Sequence, residues 1–77
     1  MSNYFNIQSI LFDLKYWNEN SARIWLRDHN YKYNGKVDFT TNKIRFRQFN
    51  PDSIRYRYKT FPIDKHESIE FILQYPA

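Results

Sequence analysis

Six cations at every second position carry the clearest chemistry in this chain: Lys43, Arg45 and Arg47 in one stretch, Arg55, Arg57 and Lys59 in another. A spacing of two places alternate side chains on one face of an extended strand. Each stretch then presents cations on one side and large apolar groups on the other, Ile44 and Phe46 in the first, Ile54, Tyr56 and Tyr58 in the second. Such a face is either solvated and neutralised within the chain, by Asp38, Glu67 and Glu70, or recognises anions, phosphates along a nucleic-acid backbone or carboxylates on a protein surface. From Lys32 to Lys59 eight basic residues stand against Asp38 and Asp52, a local net charge of +6 in a chain of net charge +4. The basic stretch is therefore set against a slightly acidic remainder.

Other reactive side chains form no catalytic pattern. Ser9, Ser21, Ser53 and Ser68 lie in no nucleophile motif, and the five aspartates, Asp13, Asp28, Asp38, Asp52 and Asp64, show no pairing suited to acid–base work. His29 and His66 are the two histidines, and no cysteine is present to complete a metal set with them. Gly35 is the single glycine, so no glycine-rich loop can cradle a phosphate. The expectation is a protein that is not an enzyme, with no cofactor and no metal. Tyr31, Tyr33, Tyr56, Tyr58 and Tyr75 could stack on bases. Of these, Tyr56 and Tyr58 fall on the apolar side of their strand and are expected in the core.

The elements that must position these residues follow from periodicity. Residues 4–14 contain Ile7, Ile10, Leu11, Phe12 and Leu14 with a change of phase midway, which predicts a strand near 7–13 with a bulge or with both faces partly covered. Asn18 is a good N-cap, Glu19 favours the first turn, and Trp17 can staple onto Ala22. Ala22, Trp25, Leu26 and His29 continue as a helical stripe, predicting a helix over 19–29 that ends at Asn30, with Arg23 and Arg27 on its outer side. His29 is expected to pack there with a ring nitrogen on a backbone carbonyl.

Lys36–Thr40 alternates and is joined by the short turn Thr41-Asn42 to Lys43–Phe49. Pairing Thr40 with Lys43 puts Phe39 opposite Ile44, Val37 opposite Phe46 and Asp38 opposite Arg45, so apolar and charged pairs each keep one face. After the turn signal Asn50-Pro51-Asp52-Ser53, the stretch Ile54–Lys59 folds back with Arg45 facing Arg57 and Phe46 facing Tyr56. The result is a three-stranded meander with all six cations on one face. Asp64-Lys65-His66-Glu67 is a polar turn. Ser68–Tyr75 is a last strand with Ile69, Phe71, Leu73 and Tyr75 inward and Glu70 and Gln74 outward. The expected fold class is α+β: one small domain over residues 1–77, core about 4–75, in the order β-α-β-β-β-β with one helix on a mostly antiparallel sheet.

At 77 residues the chain buries a small core, and its 21% aromatic content supplies the packing that disulfides cannot. No apolar run is long enough to span a membrane. Met1-Ser2-Asn3-Tyr4 lacks the basic and apolar regions of a signal peptide, which predicts a product that is not secreted by that route.

Several residues together resemble a small domain that recurs in proteins of tailed phages and large double-stranded DNA viruses. They are Trp17, Ala22, Trp25-Leu26, His29 and Tyr31, then Lys36-Val37-Asp38, then Arg45-Phe46-Arg47-Gln48 and Pro51, covering residues 10–60. Asn30 stands where that domain usually has glycine. The family has no established activity, so the resemblance implies a viral setting, in the virion or the host cell interior, and transfers no catalytic residues. The expectation is a non-enzymatic virion component or assembly accessory. Lys43, Arg45, Arg47, Arg55, Arg57 and Lys59 would meet an acidic protein surface, such as that of a virion subunit. The alternatives are phosphate contacts to nucleic acid by the same residues, or inhibition of a host protein.

Overall fold

The computed structural model describes residues 6–76. Six elements follow in the expected order: β1 (Asn6–Asp13), α1 (Glu19–Asp28), β2 (Val37–Phe39), β3 (Lys43–Arg47), β4 (Tyr56–Pro62) and β5 (Ile69–Pro76). Tyr4, Phe5 and the Met1–Tyr4 stretch read for targeting lie outside the described residues. The five strands form one antiparallel sheet in the order β2-β3-β1-β5-β4, with α1 on one face. This is a small α+β fold.

β1 occupies the centre because its sequence is apolar on both sides. Ile10 and Phe12 point towards α1 and are fully buried, and Leu11, on the opposite face, is buried too. A bulge between Ile7 and Ser9 shifts the register against β5, which returns Ile7 to the helix side and accounts for the change of phase. Gln8 at the bulge is buried and used fully: its carbonyl accepts from the amides of Gln48 and Phe49, and its Nε2 donates to the Phe49 carbonyl at 2.7 Å.

The helix begins and ends as its capping residues require. Asn18 accepts from the Ser21 amide at 2.8 Å, and Ser21 Oγ accepts from the Asn18 amide at 3.1 Å, closing a capping box. Asn30 takes a φ of 64° after the last turn. His29 ends the stripe exposed rather than buried; it stacks on Trp25 at 3.9 Å, and its Nδ1 donates to the Trp25 carbonyl at 2.8 Å as expected. Ala22 and Leu26 join Ile10, Phe12, Ile44, Phe46 and Ile69 in the core. Edge-on contacts of Phe12 with Trp17, Trp25 and Phe46, at 5.1–5.7 Å, knit the helix to β1 and β3. Arg23 departs from its expected outward position. It lies 5.2 Å over the Phe46 ring, donates to the carbonyls of Tyr33 and Gly35, and pairs with Glu19 at 2.8 Å. It holds the connection from α1 to β2.

The β2–β3 hairpin has the expected register, with Val37, Asp38 and Phe39 opposite Phe46, Arg45 and Ile44. The meander does not continue. β3 pairs on its other side with β1, and β4 pairs with β5 alone. The alternating strands β2 and β3 lie to one side of the centre and β4 forms the opposite edge. β1, with apolar groups on both faces, takes the middle, flanked by β3 and β5, each paired on both edges. β4 also starts later than expected, leaving Ile54 outside it and 90% exposed.

The register of β4 reverses its faces. Arg57, Lys59 and Phe61 lie opposite Tyr75, Leu73 and Phe71, on the helix side, whereas Tyr58 lies opposite Gln74 on the open side. Tyr56 and Tyr58 are therefore on the open face rather than in the core. In the β4–β5 turn, Ser68 Oγ donates to Asp64 and accepts from Trp17 Nε1 at 3.2 Å, tying the turn to the start of the helix.

Candidate functional site

The sheet separates the six cations that the sequence places together. Lys43, Arg45 and Arg47 stand on the open face of β3, opposite Asp13, Leu11 and Ser9 of β1. Arg57 and Lys59 stand on the helix-side face of β4, with β1 and β5 between them and β3. Three strand spacings amount to roughly 14 Å, and the two sets point in opposite directions. Arg55 belongs to neither face. It sits in the turn before β4, where Asp52 Oδ1 accepts from the amides of Ile54 and Arg55 at 3.1 and 3.2 Å. A single patch of six cations is not formed.

Local carboxylates answer half of the charges. Lys43 Nζ lies 2.9 Å from Glu70, Arg47 Nε 3.3 Å from Asp38, and Arg55 Nε 3.7 Å from Asp52. Among the described residues no carboxylate pairs with Arg45, Arg57 or Lys59. Arg45 is partly covered and its Nε is buried without a hydrogen-bond partner. Arg57 and Lys59 are exposed. They are the two cations of the set that stand both open to solvent and free of an anion.

Beside them lies a groove of about 530 Å³ on the helix side of β1, β5 and β4. Ile7, Phe71 and Leu73 contribute from the inner strands, and Phe61 and Lys59 from the edge, with Ile63 just beyond β4. Its surface is overwhelmingly apolar, and Phe61 remains 52% exposed within it. The parallel stack of Trp25 and Tyr31, with Phe71 edge-on to Tyr31 at 5.8 Å, borders it towards α1. Reading the sequence alone missed this groove, because it exists only once β4 lies against β5. Phe61 sharing the parity of Arg57 and Lys59 is the signal that could have found it.

A second cationic feature occupies the far corner of the sheet. Lys32, Lys36 and Arg47 surround shallow recesses with Gln48, Asp38 and Asn50. Gln48 fixes this corner by accepting from the Lys32 amide at 2.8 Å and donating to the Lys32 carbonyl at 3.0 Å. Asp38 already neutralises Arg47 there.

Ser68 is buried, with its hydroxyl engaged by Asp64 and Trp17, an arrangement that serves the fold. The hydrogen bond from Ser68 is the main reason that the Asp64 carboxyl titrates below the usual aspartate range, with lesser help from backbone amides and His66. The described residues include no group of three His, Asp or Glu side chains placed to hold a metal ion, and no helix is long and apolar enough to cross a membrane. No family model matches the chain, and neither the curated proteins nor the solved structures contain a match to it.

Proposed function

We propose that this chain is a non-enzymatic viral protein, a virion component or assembly accessory, that docks an acidic surface of a protein partner. The viral setting rests on the resemblance carried by Trp25-Leu26, His29, Tyr31 and Arg45-Phe46-Arg47-Gln48. The docking reading is carried by one observation: Arg57 and Lys59 are exposed, unpaired with any carboxylate among the described residues, and adjacent to an apolar groove. Apolar area supplies affinity, while charges at the rim select the partner and speed its approach.

The division of the cations disfavours the nucleic-acid alternative. A backbone is tracked by a continuous cationic path. Here Lys43, Arg45 and Arg47 face away from Arg57 and Lys59, so one strand of nucleic acid cannot engage both sets. Titration of isotope-labelled protein with poly-glutamate, and separately with single-stranded and duplex oligonucleotides, tests the reading. Poly-glutamate should shift the amide resonances of residues 57–61 and 71–75. Oligonucleotides should bind weakly, with a slope of log K against log salt no steeper than about −3. A slope near −5, with both faces perturbed, would establish a continuous phosphate track and remove the proposal.

A further inference from the structure

The helix-side face of the sheet is wide enough for two helices and, among the described residues, carries one. Five strands span about 19 Å between the outer strand axes. A helix with its side chains is about 10 Å across. The core around α1 takes in Phe12 on β1 and Ile44 and Phe46 on β3, and reaches β5 only at Ile69. Beyond Ile69 the half made by β5 and β4 carries no helix among the described residues, and the apolar groove lies there. Its apolar residues come from three adjacent strands, Ile7, Phe71 and Leu73, and Phe61. A strand added at the free edge of β4 would meet Lys59 and Phe61 and leave the inner residues untouched. A body lying over the face would meet all of them.

Charge narrows the occupant further. Arg57 and Lys59 stand along the outer rim without carboxylate partners among the described residues. A second copy of this chain carries a formal charge of +4 and brings repulsion to that rim. We infer that the groove takes an amphipathic acidic helix from a partner chain. Its apolar stripe lies on Phe61, Phe71 and Leu73 beside α1, and its carboxylates face Arg57 and Lys59. The inference rests on the acidic-partner reading and adds the secondary structure and the seat of that partner. Helix-in-groove recognition anchors residues at i, i+3, i+4 and i+7, a pattern that matches a surface extending across strands.

The test uses fluorescence anisotropy with the full chain and three labelled probes. The first is a peptide of about 18 residues, long enough to be helical, with leucines at i, i+3, i+4 and i+7 and glutamates predominating elsewhere. The second has the same composition with leucine and glutamate alternating over its central part. The third is poly-glutamate. The helical probe should bind at least about tenfold more tightly than either control, with its helicity rising on binding. Lys59→Glu should weaken it by roughly fivefold. Phe61→Ser, at a half-exposed position that tolerates the change, should weaken it comparably, and Arg45→Glu should leave it unchanged. Equal or tighter binding of the alternating probe would overturn the inference in favour of a strand added at β4. Indifference to both groove variants would place the contact elsewhere and overturn it too. Self-association that is abolished by Phe61→Ser would make a second copy the occupant. Binding of poly-glutamate without the helical probe would remove the helix while sparing the acidic-partner reading, and binding of neither would remove both.

Discussion

Arg23 shows how one side chain can be structural where its position on the helix suggests a solvated charge. Its guanidinium covers Phe46 and donates to two carbonyls of the connection to β2. Arg23→Ala should therefore destabilise the fold by about 1–2 kcal/mol, from the lost charge-assisted hydrogen bonds and the cation–π contact. Glu19→Ala, which removes the exposed i, i+4 pair and a first-turn carboxylate, should cost less, about 0.5 kcal/mol. Urea denaturation of the two variants distinguishes these values. Asp64 makes a pH-dependent contribution of known sign. Its folded-state pKa is lowered, chiefly by the Ser68 hydroxyl, so its contribution is fully present above the unfolded aspartate value of about 3.9 and fades as pH falls towards the lower folded value. The melting temperature of Asp64→Asn should lie below that of the parent at pH 6. The gap should narrow as both are acidified through pH 4 towards pH 2. A gap that stays constant over that range would contradict the assignment.

At the scale of elements, capping and hairpin chemistry made α1 and the β2–β3 pair legible before the structure. Asn18 and Asn30 mark the helix ends, and a two-residue turn between alternating strands leaves little choice of register. The partner of β4 was not legible in the same way. Its alternation is self-consistent with either face inward, and strand order is decided by segments distant in sequence. What mattered was burial on both faces: Ile10-Leu11-Phe12 belongs at the centre, and β5, apolar on both faces at Phe71-Ile72-Leu73, pairs between it and β4, which leaves β4 at the edge. The same displacement separated the candidate residues, whose identities were visible in the sequence but whose grouping was not. The side chain of Gln48 bonds the backbone of Lys32 much as a neighbouring strand would. Gln48→Ala should speed hydrogen exchange of the Lys32 amide while costing about 1 kcal/mol of overall stability. Unchanged exchange at Lys32 would show that the clamp does not hold that connection.

For the whole molecule, net charge describes solubility and attraction to anions, while topology decides where an anion can be received. Three cations, Lys43, Arg47 and Arg55, have carboxylate partners. Arg57 and Lys59 remain open beside the apolar groove. The central claim is that the two cation sets act separately and that the groove side receives the acidic partner. Affinity for the acidic helical peptide, measured by calorimetry on two charge-reversed double variants, tests it most directly. Arg57→Glu with Lys59→Glu should lose roughly tenfold or more, and Arg45→Glu with Arg47→Glu should change affinity less than about twofold. Equal losses from the two, or a larger loss from the β3 pair, would contradict it.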